Sequence, residues 1–381
     1  MNRSIVLPEE MRCYPSVYAF RDFYRIFTCF NCHALVWVRV GEKTYYDHSN
    51  GVLRSDSPIH SVEVPMEELD REGKYTVCFR KIIERKVYFP TSEDTVEVTF
   101  AFRPITGFPI RTYQLSDVHN LTDVALRAGV FWGDDIDLLI FNGDLPDHCA
   151  NIERLEVIYD LASAITHGEV PVIFSRGNHD LRGSFAEHFS ENTPTAHGLP
   201  YFTFRLGPIW GMVLDTGEDK PDDFDEYGYT TCFHQYRLEE DAFIRRVIEN
   251  RKEEYDAEGV EYKLIVSHSP VSFVSHPPFD IELELFGEWA RLLREEIKPD
   301  LGLHGHTHRT EISPIGGPRD HLGQACTLVF GCKPTRPKEG VPPFFVGNAL
   351  VIDKDSVRVI FNDCDGNILL DETLSKENLR P

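Results

Sequence analysis

Up to about residue 105 the apolar positions recur at short range. Ala34-Leu-Val-Trp-Val-Arg-Val40 is apolar and β-branched, Tyr75-Thr-Val-Cys-Phe79 follows a Glu-Gly turn, and Val96-Glu-Val-Thr-Phe-Ala-Phe102 alternates, which predicts strands. The turn-forming stretches Ser49-Asn50-Gly51 and Arg71-Glu72-Gly73 separate them. Several short strands in such a span predict a small β-sandwich over residues 1–106. Phe102-Arg-Pro-Ile-Thr-Gly107 reads as the join to a second domain over 107–381.

From Arg111 onward apolar, strand-like runs alternate with helical stretches, the texture of an α/β domain. Asn151 is placed to cap a helix over 152–166 that carries Ile152, Leu155, Ile158, Tyr159 and Ala162 on one face. A long charged helix is predicted from Gln235 to about Tyr255, and another from about Ile281 to Ile297, ahead of Pro299. After His308 the chain is β-rich again, with Cys326–Phe330, Asn348–Ile352 and Val357–Phe361 as strands.

In the second region, short apolar runs repeatedly end in a side chain able to bind metal. Tyr113-Gln-Leu-Ser precedes Asp117-Val-His119, and Leu138-Leu-Ile-Phe-Asn-Gly precedes Asp144. Val170-Pro-Val-Ile-Phe-Ser-Arg-Gly precedes Asn178-His179-Asp180. Leu264-Ile-Val-Ser precedes His268, and Leu301-Gly-Leu precedes His304-Gly-His306-Thr-His308. Sites in open α/β sheets lie beyond the carboxyl ends of the strands, so these side chains can meet despite their separation in sequence. Carboxylate, amide and imidazole without thiolate suit Mn, Fe or Zn in an open site rather than a closed structural zinc site. Alternation in Asp-x-His and His-x-His would put each pair on one side of a short extended segment.

These blocks resemble the ordered signature of the calcineurin-like metallophosphoesterases. The matching positions are Asp117-Val118-His119, Gly143-Asp144-Leu145-Pro146-Asp147, Gly177-Asn178-His179-Asp180, His268 and Gly305-His306-Thr307-His308. The resemblance spans roughly 110–310. It implies a four-layer sandwich of two mixed β-sheets flanked by helices, preceded by an all-β sandwich similar to the N-terminal domain of purple acid phosphatases and of fibronectin III type. It also implies two divalent transition ions, with Asp117, His119 and His308 on one, Asn178, His268 and His306 on the other, and Asp144 bridging them. Two cations about 3.5–4 Å apart acidify a bridging water and clamp the phosphoryl oxygens of a phosphate mono- or diester. His179 would assist the leaving oxygen or steady the equatorial oxygens, with Asp180 orienting it. The purple enzymes carry an iron-binding Tyr where this chain has Asp147, so the site is not expected to be purple.

Composition narrows the partners. The 381 residues carry a formal net charge of −23, which repels nucleic acid and anionic lipid at long range, so an anionic substrate must be held by local cations. A small phosphorylated molecule is therefore the expected partner, without nucleic acid or membrane. The nine cysteines are scattered rather than arrayed as a framework, and Met1–Glu10 has its apolar run broken by Pro8 and two acids, so a cytoplasmic enzyme is expected.

Several residues keep two readings. Arg182 is a substrate contact or a carboxylate-paired side chain, and Asp147 is a turn or supporting carboxylate in preference to a ligand. His304 reads as a packed histidine, and Cys29-Phe-Asn-Cys32 as buried thiols rather than a zinc site. The acidic segment 216–234 is either a lid or a solvated loop. At the level of the whole chain, a non-catalytic scaffold or a nuclease of the same fold stands as the alternative.

Overall fold

Leu138–Asn142 is buried at every position, as expected of a strand covered on both faces. In the computed structural model, which describes residues 5–380, it lies in a ten-stranded mixed sheet. The order is Ile368–Ser375, Ser356–Asp363, Phe344–Ile352, Ile110–Leu115, Leu138–Asn142, Pro171–Ser175, Ser16–Ala19, Phe23–Cys29 and Ile59–Pro65, with Lys333–Thr335 paired to Phe344–Ile352. The four strands from Ile110–Leu115 to Ser16–Ala19 are parallel. Met1–Ser4, the beginning of the segment weighed above for a leader, lies outside the described residues.

A six-stranded sheet faces it, in the order Phe202–Leu206, Ile209–Leu214, Tyr262–Ser267, Leu301–His304, Thr327–Phe330 and Glu311–Ser313, its four middle strands parallel. Alternation assigns the faces. Leu264 and Val266 pack into the core shared with the large sheet, whereas Ile265 joins Trp210, Met212 and Leu214 against Ile244, Val247, Phe286 and Trp289. Helices Phe233–Glu249 and Leu283–Leu292 thus cover the outside of the small sheet. Thr122–Gly129 and Glu156–Thr166 cover the large one. The result is helix, sheet, sheet and helix in four layers.

The predicted N-terminal strands form at Ala34–Val40, Lys74–Glu84 and Val96–Ala101, in a separate five-stranded sheet. Its opposite layer is not a second private sheet. Ser16–Ala19, Phe23–Cys29 and Ile59–Pro65 continue the ten-stranded sheet, and Val17 pairs directly with Pro171. The join at residues 102–107 therefore connects two parts of one hydrogen-bonded assembly.

Two helix starts differ from expectation. Asn151 is extended at φ −158° and makes no side-chain cap, so Ile152–Leu155 is a 3-10 turn and the α-helix begins at Glu156. The charged helix starts at Phe233, where Asp222 receives the Phe233 and His234 N–H groups at 2.7 and 2.9 Å, and it ends at Glu249. Among the described residues no helix is long and apolar enough to cross a membrane.

Candidate active site

The carboxyl ends of five parallel strands, three from one sheet and two from the other, deliver the predicted ligands to one place. Asp117 and His119 follow Ile110–Leu115, Asp144 follows Leu138–Asn142, and Asn178 follows Pro171–Ser175. Opposite them, His268 follows Tyr262–Ser267, and His306 and His308 follow Leu301–His304. His119 Nε2 stands 3.0 Å from His308 Nε2, and His308 Nε2 is 3.4 Å from Asp117 Oδ1. Asp144 Oδ2 lies 3.2 Å from His268 Nε2 and 3.8 Å from His119 Nε2. His306 Nδ1 is 3.2 Å from Asn178 Oδ1. All seven side chains converge.

Extended alternation is not how the histidine pairs reach the site. Asp117, His119, Asp144, His306 and His308 all have left-handed backbones, with φ between 46 and 64°, a region that costs a non-glycine residue free energy and concentrates at functional sites. The cause is visible in the loops. Asp117 N–H donates to the Gly143 carbonyl and His119 N–H to the Asp144 carbonyl, both at 3.0 Å, so the first loop is bent to follow the second past the end of the sheet. Gly143 and Gly177 are demanded by crowding: a Cβ at Gly143 would come within 2.5 Å of His268 Nδ1, and one at Gly177 within 2.3 Å of Asp144 Oδ1.

The donor set fits divalent cations. His268 Nδ1 is 2.8 Å from the Asn142 carbonyl and must donate to it. Its Nε2 is buried and makes no hydrogen bond, although Asp144 Oδ2 is close by. A second-sphere carbonyl fixing one nitrogen while the other is aimed at carboxylates is the arrangement of a metal-binding histidine. Burial lowers His119 and His306 to about 4 and pushes His308 down as well, which keeps these rings neutral and their lone pairs free, as metal binding requires. Burial also pushes Asp117 up to about 7. For His268 burial opposes the charge, but Asp144 and Asp117 outweigh it and raise the ring to about 10. Two buried carboxylates here call for positive charge.

A family description of calcineurin-like phosphoesterases matches residues 110–310, the stretch that contains every one of these ligands. The chain belongs to that family. The fold is similar to a purple acid phosphatase from yellow lupin (Lupinus luteus) seeds, with a TM-score of 0.57 and 13% identity over 95% of this chain and 74% of that one. It is also similar to PhoD, with a TM-score of 0.51 and 10% identity over 95% of this chain and 92% of that one. At such identities the likeness is one of fold, and it takes in the N-terminal β region. No curated protein matches the chain by sequence. The family is that of metallophosphoesterases, and divalent metal ions come with it.

Around the phosphoesterase ligands the supporting residues differ from expectation. Asp180 does not orient His179. Its Oδ2 accepts the N–H groups of Gly177 and Asp144 at 2.7 and 3.2 Å, bracing the ligand loops from beneath. The ring of His179 is held instead by the Asp147 carbonyl, 2.9 Å from Nδ1, and by Arg182 Nη1, 3.2 Å from Nε2. The 3-10 turn His179–Leu181 explains the exchange, because three residues per turn bring Arg182 back over His179. Arg182 itself forks onto Glu218 at 2.7 and 2.8 Å, which is the carboxylate-paired reading. Arg176 is buried against Asp215 and Tyr236.

Asp147 Oδ1 lies 3.2 Å from His119 Nδ1 and accepts from Arg336 Nη2 at 2.6 Å, so it supports a ligand from outside. Arg336 had no signal in the sequence; it follows the short strand Lys333–Thr335, which pairs with the start of Phe344–Ile352 inside the large sheet. His304 is packed, with Nδ1 3.0 Å from the Ser267 carbonyl. Asp215 ends an apolar strand as the ligands do, yet it is consumed by Arg176 and Tyr236.

A cavity of about 490 Å³ opens from Asp144, Asn178, His306 and His308. Thr216, Glu218, Asp219 and Lys220 form part of its wall. Buried Arg237 ties that wall down, donating to the Thr216 and Glu218 carbonyls at 2.8 and 2.6 Å. The first residues of the acidic segment are therefore structural wall. Cys29 and Cys32 are free thiols, like the other seven cysteines.

Proposed function

We propose that this phosphoesterase hydrolyses phosphate mono- or diesters with two divalent transition ions, Mn, Fe or Zn. Asp117, His119 and His308 would hold one ion, Asn178, His268 and His306 would hold the other, and Asp144 would serve both. The observation that carries the assignment is the position of Asp144 Oδ2 between His119 Nε2 and His268 Nε2, at 3.8 and 3.2 Å. When bound, two such ions supply an acidified water as nucleophile and positive charge for the phosphoryl oxygens.

The protein's own groups do the positioning. His179 N–H donates to Asp144 Oδ1 at 2.8 Å, which turns Oδ2 toward the histidines. His179 Nδ1–H is given to Asp147, so Nε2 is the nitrogen left to face a substrate. With substrate in place, His179 Nε2 serves the leaving oxygen by proton donation, and Arg182 Nη1, the one guanidinium nitrogen outside the Glu218 fork, turns from Nε2 to a phosphoryl oxygen. A small phosphorylated molecule suits the site better than nucleic acid, given the net charge of −23.

The test is a metal-supplemented panel of an aryl monoester, an aryl diester, nucleotides and single-stranded DNA, with and without chelator. Chelator-sensitive release of phosphate or phenolate supports the reading. A metal-free protein with full activity overturns it, and preference for DNA replaces the small substrate with a nuclease role.

A further inference from the structure

The cavity that opens from the ligand cluster has a substantial apolar lining as well as a polar one. Phe273, Val274, Phe279, Ile281, Leu283 and Leu322 line the same cavity as the ligands, and Leu283 is 45% exposed despite being apolar. Apart from Arg182 Nη1, which faces His179, and Arg309, the cations along the wall are already paired. Arg182 is forked onto Glu218. Lys220 Nζ is 2.6 Å from Glu226 Oε2 and lies over the rings of Phe224, Tyr227 and Phe279. Arg319 is paired with Glu311 at 2.9 Å and stacked on Phe273, 4.9 Å from the ring centroid. Arg309, the remaining cation of the lining, is exposed beside His308. Asp219 and Asp280 add negative charge to the same wall.

Away from Arg309, which sits beside His308 next to the ligand cluster, a second phosphate placed in this chamber would meet carboxylates and paired cations, whereas an apolar group would meet rings and branched side chains. We propose that the substrate is an amphiphilic phosphoester, with one phosphate at the ligand cluster and an apolar alkyl or aryl substituent seated against Phe279, Ile281 and Leu283. This rests on the phosphoesterase reading above and adds the substrate class to it.

Binding of alkylphosphonates to the Mn-loaded full chain tests the proposal without requiring turnover. Calorimetry on methyl-, butyl-, hexyl- and octylphosphonate should show Kd falling by about two- to fourfold per added methylene until the chamber is filled. Phe279→Ser and Leu283→Ser should each flatten that series while leaving methylphosphonate binding unchanged. Pyrophosphate should bind more weakly than octylphosphonate. One Kd for all chain lengths, or tighter binding of pyrophosphate, overturns the substrate class while phosphoester hydrolysis by the same preparation leaves the phosphoesterase reading standing. Failure to bind any phosphonate, together with no hydrolysis of any phosphoester, overturns both.

Discussion

His268 donates through Nδ1 to the Asn142 carbonyl at 2.8 Å and points Nε2 at Asp144 Oδ2, 3.2 Å away, with no hydrogen bond closing the gap. In the metal-free protein the Asp144 and Asp117 charges raise this ring to about 10 against the effect of burial. It is therefore protonated at neutral pH, and an incoming cation must displace that proton. Mn affinity should rise with pH from 6 to 9. Calorimetric titration in buffers of different ionisation enthalpy should register about one proton released from this ring.

Asp144→Ala should abolish binding of both ions, because the carboxylate stands between the two histidine sets. Asp117→Asn should weaken one site more than the other. Elemental analysis of the purified variants separates these outcomes, and two tightly held ions in Asp144→Ala would show that Asp144 is not the shared ligand.

His179→Asn should keep the metal content and lose about 10²–10⁴ in rate on alkyl esters. On nitrophenyl esters the loss should be much smaller, since nitrophenolate leaves without a proton. Equal losses on both would assign His179 to charge stabilisation at the phosphoryl oxygens.

Arg182→Met leaves Glu218, only 2% exposed, without its cation. Unfolding in denaturant should show a loss of about 3 kcal/mol, most of it recovered in the double variant with Glu218→Met. Additive losses would mean that the pair is not coupled.

Loaded with iron, the protein should show no strong visible absorbance. By the sequence resemblance Asp147 stands where the purple enzymes carry their iron-binding tyrosine, and here it is held by Arg336 and lies 3.2 Å from His119 Nδ1. A tyrosinate-to-iron band in the visible spectrum of the loaded protein would contradict this.

The convergence of the candidate ligands was legible because each follows an apolar strand, and a buried strand announces itself by composition. Their backbone was not. Nothing in Asp-Val-His says that both outer residues turn left-handed, since that follows from hydrogen bonds to Gly143 and Asp144 in another loop. The neighbour relation of His179 and Asp180 misled for a similar reason: adjacency in a 3-10 turn separates two side chains, and the residue three positions on is the one that meets His179. In the N-terminal region the strands of the separate sheet were readable from alternation. Ser16–Ala19, with four residues all buried, and Phe23–Cys29, with six of seven buried, offered no such alternation.

Those unread strands decide how the polypeptide can assemble. Ser16–Ala19 is synthesised long before Pro171–Ser175, its parallel neighbour, so it must wait with one edge unpaired while the intervening chain emerges. The converse holds for a shortened protein: expression from residue 107 onward would present the Pro171–Ser175 edge, a buried apolar strand, as a template for pairing with other chains. Such a fragment should aggregate even though every candidate metal ligand is present, and adding residues 5–106 as a separate polypeptide should rescue its solubility by filling that edge.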